Sequence, residues 1–124
     1  MTTKNYPIEK IKANVVCPVE LELSLRILGG KWRGSILYQL IDRPLRFKQL
    51  QDRVQDGVIN YKDEDHWLTS KVLSEHLHAS VSYGLIEKVM DKENDNHHYY
   101  QLSVKGESVV PILLELFYWG DANY

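Results

Sequence analysis

The sequence predicts an α+β domain, mostly helical, with one β-hairpin near its C-terminal end and terminal helices through which two copies dimerise. Three observations carry that prediction. Apolar residues recur at helical spacing in several separate segments. A polar turn, Glu93-Asn94-Asp95-Asn96, sits between two short strand-like runs. The last helical segment is apolar nearly all round, so it needs cover on more than one side, and in so small a chain a second subunit is the natural cover. A length of 124 residues suits one domain with its own core, and 44% hydrophobic against 26% charged residues excludes wholesale disorder and collagen-like repeats.

Taken in order, residues 1–16 read as a loosely attached arm, and the domain proper runs from 17 to 124. Pro18 suits the first position of a helix. From Val19 to Leu28 the apolar residues alternate as in a strand, yet Leu, Glu and Arg favour a helix, and a buried helix is expected. Gly29-Gly30 ends it. A second helix follows on Trp32, Ile36, Leu37, Leu40 and Ile41, and Arg43-Pro44 breaks the chain, because proline disfavours helical geometry in the residue before it. An extended piece around Leu45-Arg46 leads to a third helix with Phe47, Leu50 and Val54 inward, ending near Asp56-Gly57. A long loop, about 56–68, includes the acids Asp63, Glu64 and Asp65.

Thr69 or Ser70 is placed to cap a fourth helix whose buried side is Leu73, Leu77 and Val81. Two strands follow, Ile86 to Met90 and His98 to Leu102. Ser103 then caps a last helix running to Trp119, with a kink expected at Pro111. This order of elements is that of a winged helix-turn-helix domain, in which the helix before the hairpin enters the DNA major groove and the hairpin touches the flanking backbone.

Several motifs in one collinear order carry a family resemblance. They are Cys17-Pro18-Val19-Glu20, Gly29-Gly30-Lys31-Trp32, Pro44-Leu45-Arg46-Phe47, Leu73 with Leu77, Gly84-Leu85-Ile86, Tyr100-Gln101-Leu102-Ser103 with Lys105-Gly106, and Trp119-Gly120. Together they resemble the HxlR family of winged helix-turn-helix transcriptional regulators, related to the MarR group. The resemblance implies a homodimeric DNA-binding repressor or activator. It also implies an effector that is a small oxidant or electrophile, sensed through a cysteine at the start of the first helix, the position of Cys17. Two features depart from the family pattern. About ten extra residues stand between the third helix and the recognition helix, and the wing, Glu87 to His97, holds four acids against Lys88 and Lys92.

Net charge is only −2, but it is segregated: Arg26 to Leu50 carries six basic residues against one acid, or +5, leaving −7 on the other 99 residues. A local basic face attracts phosphate even on a near-neutral body, because salt screens more distant charge. On the fourth helix Lys71, Glu75, His78 and Ser82 lie opposite the leucine stripe, and Thr69, Ser70 and Ser74 crowd its start, where hydroxyls and free N–H groups suit base edges and phosphate. Arg46 and Lys48 are candidates for positioning phosphate, and Lys88 for contact from the wing. Ile112, Leu113, Leu116, Phe117 and Trp119 are the expected dimer interface.

For Cys17 the residues leave two readings open. The start of the following helix favours a reactive thiolate while Glu20 and Glu22 oppose it, and a small buried apolar thiol fits equally. A single cysteine makes no internal disulfide, which accords with a cytoplasmic address. The N-terminus has no secretory signal pattern, and the apolar stretch Val109 to Leu114 is too short to cross a membrane. His76 and His78 point to different helix faces, and His97 and His98 alternate across a strand, so no metal set is formed and no cofactor is expected. No nucleotide-binding glycine loop or nucleophile elbow occurs, and an enzyme is not expected. The competing reading is a winged-helix module that uses its acidic wing and inserted loop to bind protein and has little DNA affinity.

Overall fold

The computed structural model describes residues 18–59, 67–93 and 97–124. The arm 1–16, Cys17 and most of the inserted loop lie outside the described residues. Among the described residues the elements are, in chain order, α1 (Val19–Leu28), α2 (Arg33–Gln39), α3 (Phe47–Ile59), α4 (Ser70–Ser82), β1 (Ile86–Met90), β2 (His98–Leu102), α5 (Val104–Glu107) and α6 (Val110–Asn123). The architecture is the mostly helical, hairpin-bearing one that the sequence predicts.

The core is assembled from α2, α3, α4 and the root of the hairpin. Ile36, Leu37, Leu50, Val54, Leu73, Leu77 and Ile86 are buried in one cluster with Trp32, Leu40, Leu45 and Leu68. Ile36, Leu37, Leu50, Val54, Leu73 and Leu77 are the residues at helical spacing, and each large apolar side chain so buried contributes about 1.5–3 kcal/mol. β1 and β2 pair antiparallel, with Ile86 opposite Leu102 and Met90 opposite His98. The extended residue Leu45 joins this ribbon from outside, exchanging both backbone hydrogen bonds with Tyr100 at 3.0 and 2.8 Å. The Leu45 segment thus anchors the wing to the start of α3.

Gly30 sits at φ +96° in the turn between α1 and α2, a conformation that a side chain rarely adopts. Gly106 passes so close to the backbone of Leu85 that a Cβ would stand 2.0 Å from its carbonyl oxygen. That close approach lets Ser103 fasten the hairpin's end. Its hydroxyl accepts from the Gly106 N–H at 2.9 Å and donates to the Gly84 carbonyl at 2.5 Å.

Five expectations are corrected. Pro18 is the residue before α1 rather than its first position. α1 is a helix, yet none of its residues is buried within the chain. On a helix, residues two apart face opposite ways, so Val19 and Leu23 point to one side and Leu21 and Leu25 to the other. Only Ile27 and Leu28, at its end, pack on the core. α3 continues two residues beyond Gly57, to Ile59, so the loop begins later than residue 56. The inward stripe of α4 is completed by Ser80, fully buried, whereas Val81 is 40% exposed. At about 100° per residue Ser80 falls back within about 20° of Leu73, and Val81 is turned about 80° away. Finally, the segment after Ser103 is two helices rather than one kinked at Pro111. The chain breaks at Ser108 and Val109, Pro111 opens α6 where its missing N–H costs nothing, and α6 runs past Trp119 to Asn123.

Candidate nucleic-acid interface

α4 presents the candidate reading face. Leu73, Leu77 and Ser80 turn inward, and Lys71, Ser74, Glu75, His78 and Ser82 are all exposed on the outside. Its start is capped by Thr69, whose hydroxyl accepts the Val72 N–H at 3.1 Å. Of the two cap candidates the chain uses Thr69, and Ser70 becomes the first helical residue. The N–H groups of the first turn, the Thr69, Ser70 and Ser74 hydroxyls and the Lys71 ammonium therefore cluster at one end of a 13-residue helix. Such an end stabilises an anion by its dipole and its unpaired donors together.

The predicted basic face is largely dismantled. Arg26 pairs with Glu22 at 3.0 Å, Lys48 with Asp52 at 3.2 Å, and Arg46 with Asp91 at 2.5 Å, while Arg33 is buried. The reason is local: each of the three pairing cations has a carboxylate within reach, two of them one helical turn away. Exposed pairs like Lys48 with Asp52 are worth at most about 1 kcal/mol, so a phosphate can displace the carboxylate. Arg46 is held more firmly. Its guanidinium bridges the start of α3 to the wing, and the hydrogen bond it donates, followed by one from the Glu93 N–H, holds the Asp91 carboxyl below its ordinary pKa. Beside it Pro44, Arg46, Gln49 and Tyr99 line an open hollow of about 350 Å³ at the wing root. Lys88 is exposed on β1, opposite Tyr100 in the ribbon.

Two connections were not found by reading the sequence. Arg33 donates to the Ile27 carbonyl at 3.0 Å and lies 3.3 Å from His76 Nδ1, with its guanidinium 5.5 Å from the centre of the Tyr83 ring. It therefore ties the end of α1 to the middle of α4. An arginine only donates, so His76 accepts at Nδ1 and is neutral there. The signal was present, since Arg33 occupies the inward register with Ile36 and Leu37. The second connection runs from α3. The Gln55 side-chain oxygen accepts the Leu68 N–H at 2.6 Å, and Gln51 Nε2 donates to the Leu68 carbonyl at 3.0 Å and to Ser70 Oγ at 3.3 Å.

At the chain's end the expected interface residues divide. Leu113 is buried in the chain's own core with Val109, a correction to its place among partner-facing residues. Ile112, Leu116, Phe117 and Trp119 are exposed, joined by Leu114, Tyr118 and Tyr124. Together with Val19, Leu21, Leu23 and Leu25 they leave α1 and α6 with many exposed large apolar side chains. Among the described residues no group of three or more His, Cys, Asp or Glu could hold a metal ion, and no helix is long and apolar enough to cross a membrane.

Known proteins share this arrangement. The family model described as HxlR-like helix-turn-helix matches residues 27–124. An HTH-type transcriptional regulator of Halalkalibacterium halodurans is 34% identical over 101 residues, covering 81% of this chain and 80% of that protein. The HTH-type transcriptional regulator YodB of Bacillus subtilis is 26% identical over 108 residues, covering 87% and 86%. Among solved structures, the redox regulator HypR in its reduced form superposes with a TM-score of 0.68 at 25% identity, over 84% of this chain and 92% of that one. Reduced YodB superposes with a TM-score of 0.66 at 25% identity, over 88% and 95%.

Proposed function

Because this chain belongs to the HxlR-like helix-turn-helix family, whose members are DNA-binding transcriptional regulators and not enzymes, we propose that it binds a palindromic operator as a homodimer. α4 of each copy lies in the major groove, and the two grooves are one helical turn, about 34 Å, apart. The observation that carries the reading is the outward face of α4: a capped, hydroxyl-lined N-terminus followed by Lys71, Ser74, Glu75 and His78 on one exposed side. Ser74 and His78 read base edges, with Glu75 accepting from a cytosine amino group. Lys71, Thr69 and Ser70 hold phosphate at the helix start, and Lys48 and Lys88 reach the flanking backbone. Arg46 takes a different part. Bonded to Asp91, it fixes the wing against α3 and meets phosphate only by exchanging partners.

The second copy covers α1 and α6, where Val19, Leu21, Leu23, Leu25, Ile112, Leu116, Phe117 and Trp119 are exposed within one chain. Cys17 is the sensor in this reading, its modification changing the separation of the two α4 helices by acting beside the dimer helices. In support, two of the superposing proteins are the redox regulator HypR and the transcriptional regulator YodB, each in its reduced form. The chain works in the cytoplasm, in contact with DNA.

Selection of bound duplexes from a random library, repeated after diamide treatment, tests the whole. The expected result is an enriched inverted repeat with half-site centres about 10 base pairs apart, bound less tightly as salt rises, and released by diamide in wild type but not in Cys17→Ser. Enrichment of no sequence contradicts the DNA reading and favours a protein-binding module. Equal response of the two proteins to diamide makes Cys17 structural.

A further inference from the structure

We propose that Gln51 and Gln55 are positioning residues for DNA reading: one turn apart on α3, they grip the backbone of Leu68 and so set the orientation at which α4 meets the groove. The inference rests on the DNA-reading role of α4. In a short helix-turn-helix connection the turn itself dictates the angle between the two helices. Here seven residues, 60–66, stand between the end of α3 and Trp67. At its exit the connection is held on both polar groups of one peptide residue, and this hold fixes how α4 sets off from α3. Gln55 accepts the Leu68 N–H at 2.6 Å, and Gln51 donates to the Leu68 carbonyl at 3.0 Å. The same Gln51 amide reaches Ser70 Oγ at 3.3 Å, in the first helical residue of α4. The Leu68 side chain is buried in the core, so the residue is fixed at three points directly before the Thr69 cap.

The two glutamines have opposite roles, and that makes the clamp testable. A glutamate at 55 still accepts the Leu68 N–H, but a glutamate at 51 donates nothing to the Leu68 carbonyl. Both substitutions add the same charge at neighbouring sites, so their difference reports the hydrogen bond. Gln51→Met, Gln55→Met, Gln51→Glu and Gln55→Glu are compared with wild type on the selected operator and on a random duplex of equal length. Leu68 amide exchange is followed by NMR, and folding is checked by the thermal midpoint.

The expected result is a loss of tenfold or more in the ratio of specific to non-specific affinity for both Met variants and for Gln51→Glu. Gln55→Glu retains most of the ratio, and Leu68 exchange is faster in Gln55→Met only. Unchanged ratios in all four, or equal ratios for the two Glu variants, overturn the proposal, and if the Met variants fail to fold the Glu pair decides. Should wild type enrich no operator, the parent reading fails on its own. The exchange measurement still judges the clamp, and a Leu68 amide no better protected in wild type than in Gln55→Met overturns it.

Discussion

The middle of the chain and its two ends spend their apolar residues differently. Between Trp32 and Leu102 the large aliphatic side chains at helical spacing go inward, and α4 is capped, clamped from α3 and closed by the ribbon. α1 is as rich in leucine and α6 in leucine and aromatics, yet Leu25 is 61% and Phe117 57% exposed. The ring contacts of Phe117 with Tyr118, and of Trp119 with Tyr124, stay within α6 and the residue that follows it. The lesson is a division of labour: the middle closes its own core, and the ends leave apolar surface for the second copy of the proposed dimer. The buried Arg33 is bonded to both parts, through Ile27 at the end of α1 and His76 in α4.

The largest effect that separates the regions is in the core. Leu73→Ala empties a fully buried site and is expected to cost about 2–5 kcal/mol in urea unfolding, at any protein concentration. Leu25→Ala is expected to change stability by a similar order only through association, so its cost grows as the protein becomes able to dimerise and vanishes on dilution. A concentration-independent loss for Leu25→Ala would place α1 inside the chain's own core after all.

A smaller effect comes from the cap. Thr69→Ala removes the acceptor for the Val72 N–H and is expected to cost about 1 kcal/mol, whereas Ser70→Ala, one residue later, leaves the cap intact. Equal costs for the two would mean that the cap is shared and the start of α4 less defined than its geometry implies.

The smallest effect is electrostatic. Burial, and after it the Arg33 guanidinium, holds the His76 imidazole below its ordinary pKa of 6.5, with Glu75 opposing. A base lowered in this way takes up its proton first in the unfolded chain, so acid favours unfolding. The contribution is intact above pH 6.5, declines as pH falls through that value, and levels off below the folded pKa. Urea midpoints between pH 7.5 and 5.5 are expected to fall less steeply for His76→Gln than for wild type. Parallel profiles would show that the bond between Arg33 and His76 does not couple to the proton.

These contrasts explain what the sequence made legible. Leu50, Val54, Leu73 and Leu77 fall on single stripes, and the strands stand between clear breakers, so the middle and its wing could be read residue by residue. The exposure of α1 was not legible. Periodicity records which residues are apolar and not whose surface covers them, and an alternating run looks buried whether the cover is the same chain or another. Ser80 for Val81 is a phase error of one residue, which a two-leucine stripe is too short to prevent. A count of charges along the chain cannot see that Asp91, distant in sequence, returns to pair with Arg46. The glutamine clamp was missed for a similar reason: Gln51 and Gln55 look like a solvated face until Leu68 is brought beside them.

The central claim is that the ends of the chain join two self-sufficient reading units. The mass in solution of a variant carrying Leu116→Glu and Phe117→Glu, measured by light scattering beside wild type, tests it most directly. The account predicts wild type at twice the 14.5 kDa chain mass and the variant at one chain mass, with native circular dichroism and binding to a single half-site preserved. A variant that still runs at two chain masses, or a wild type that runs at one, would contradict it.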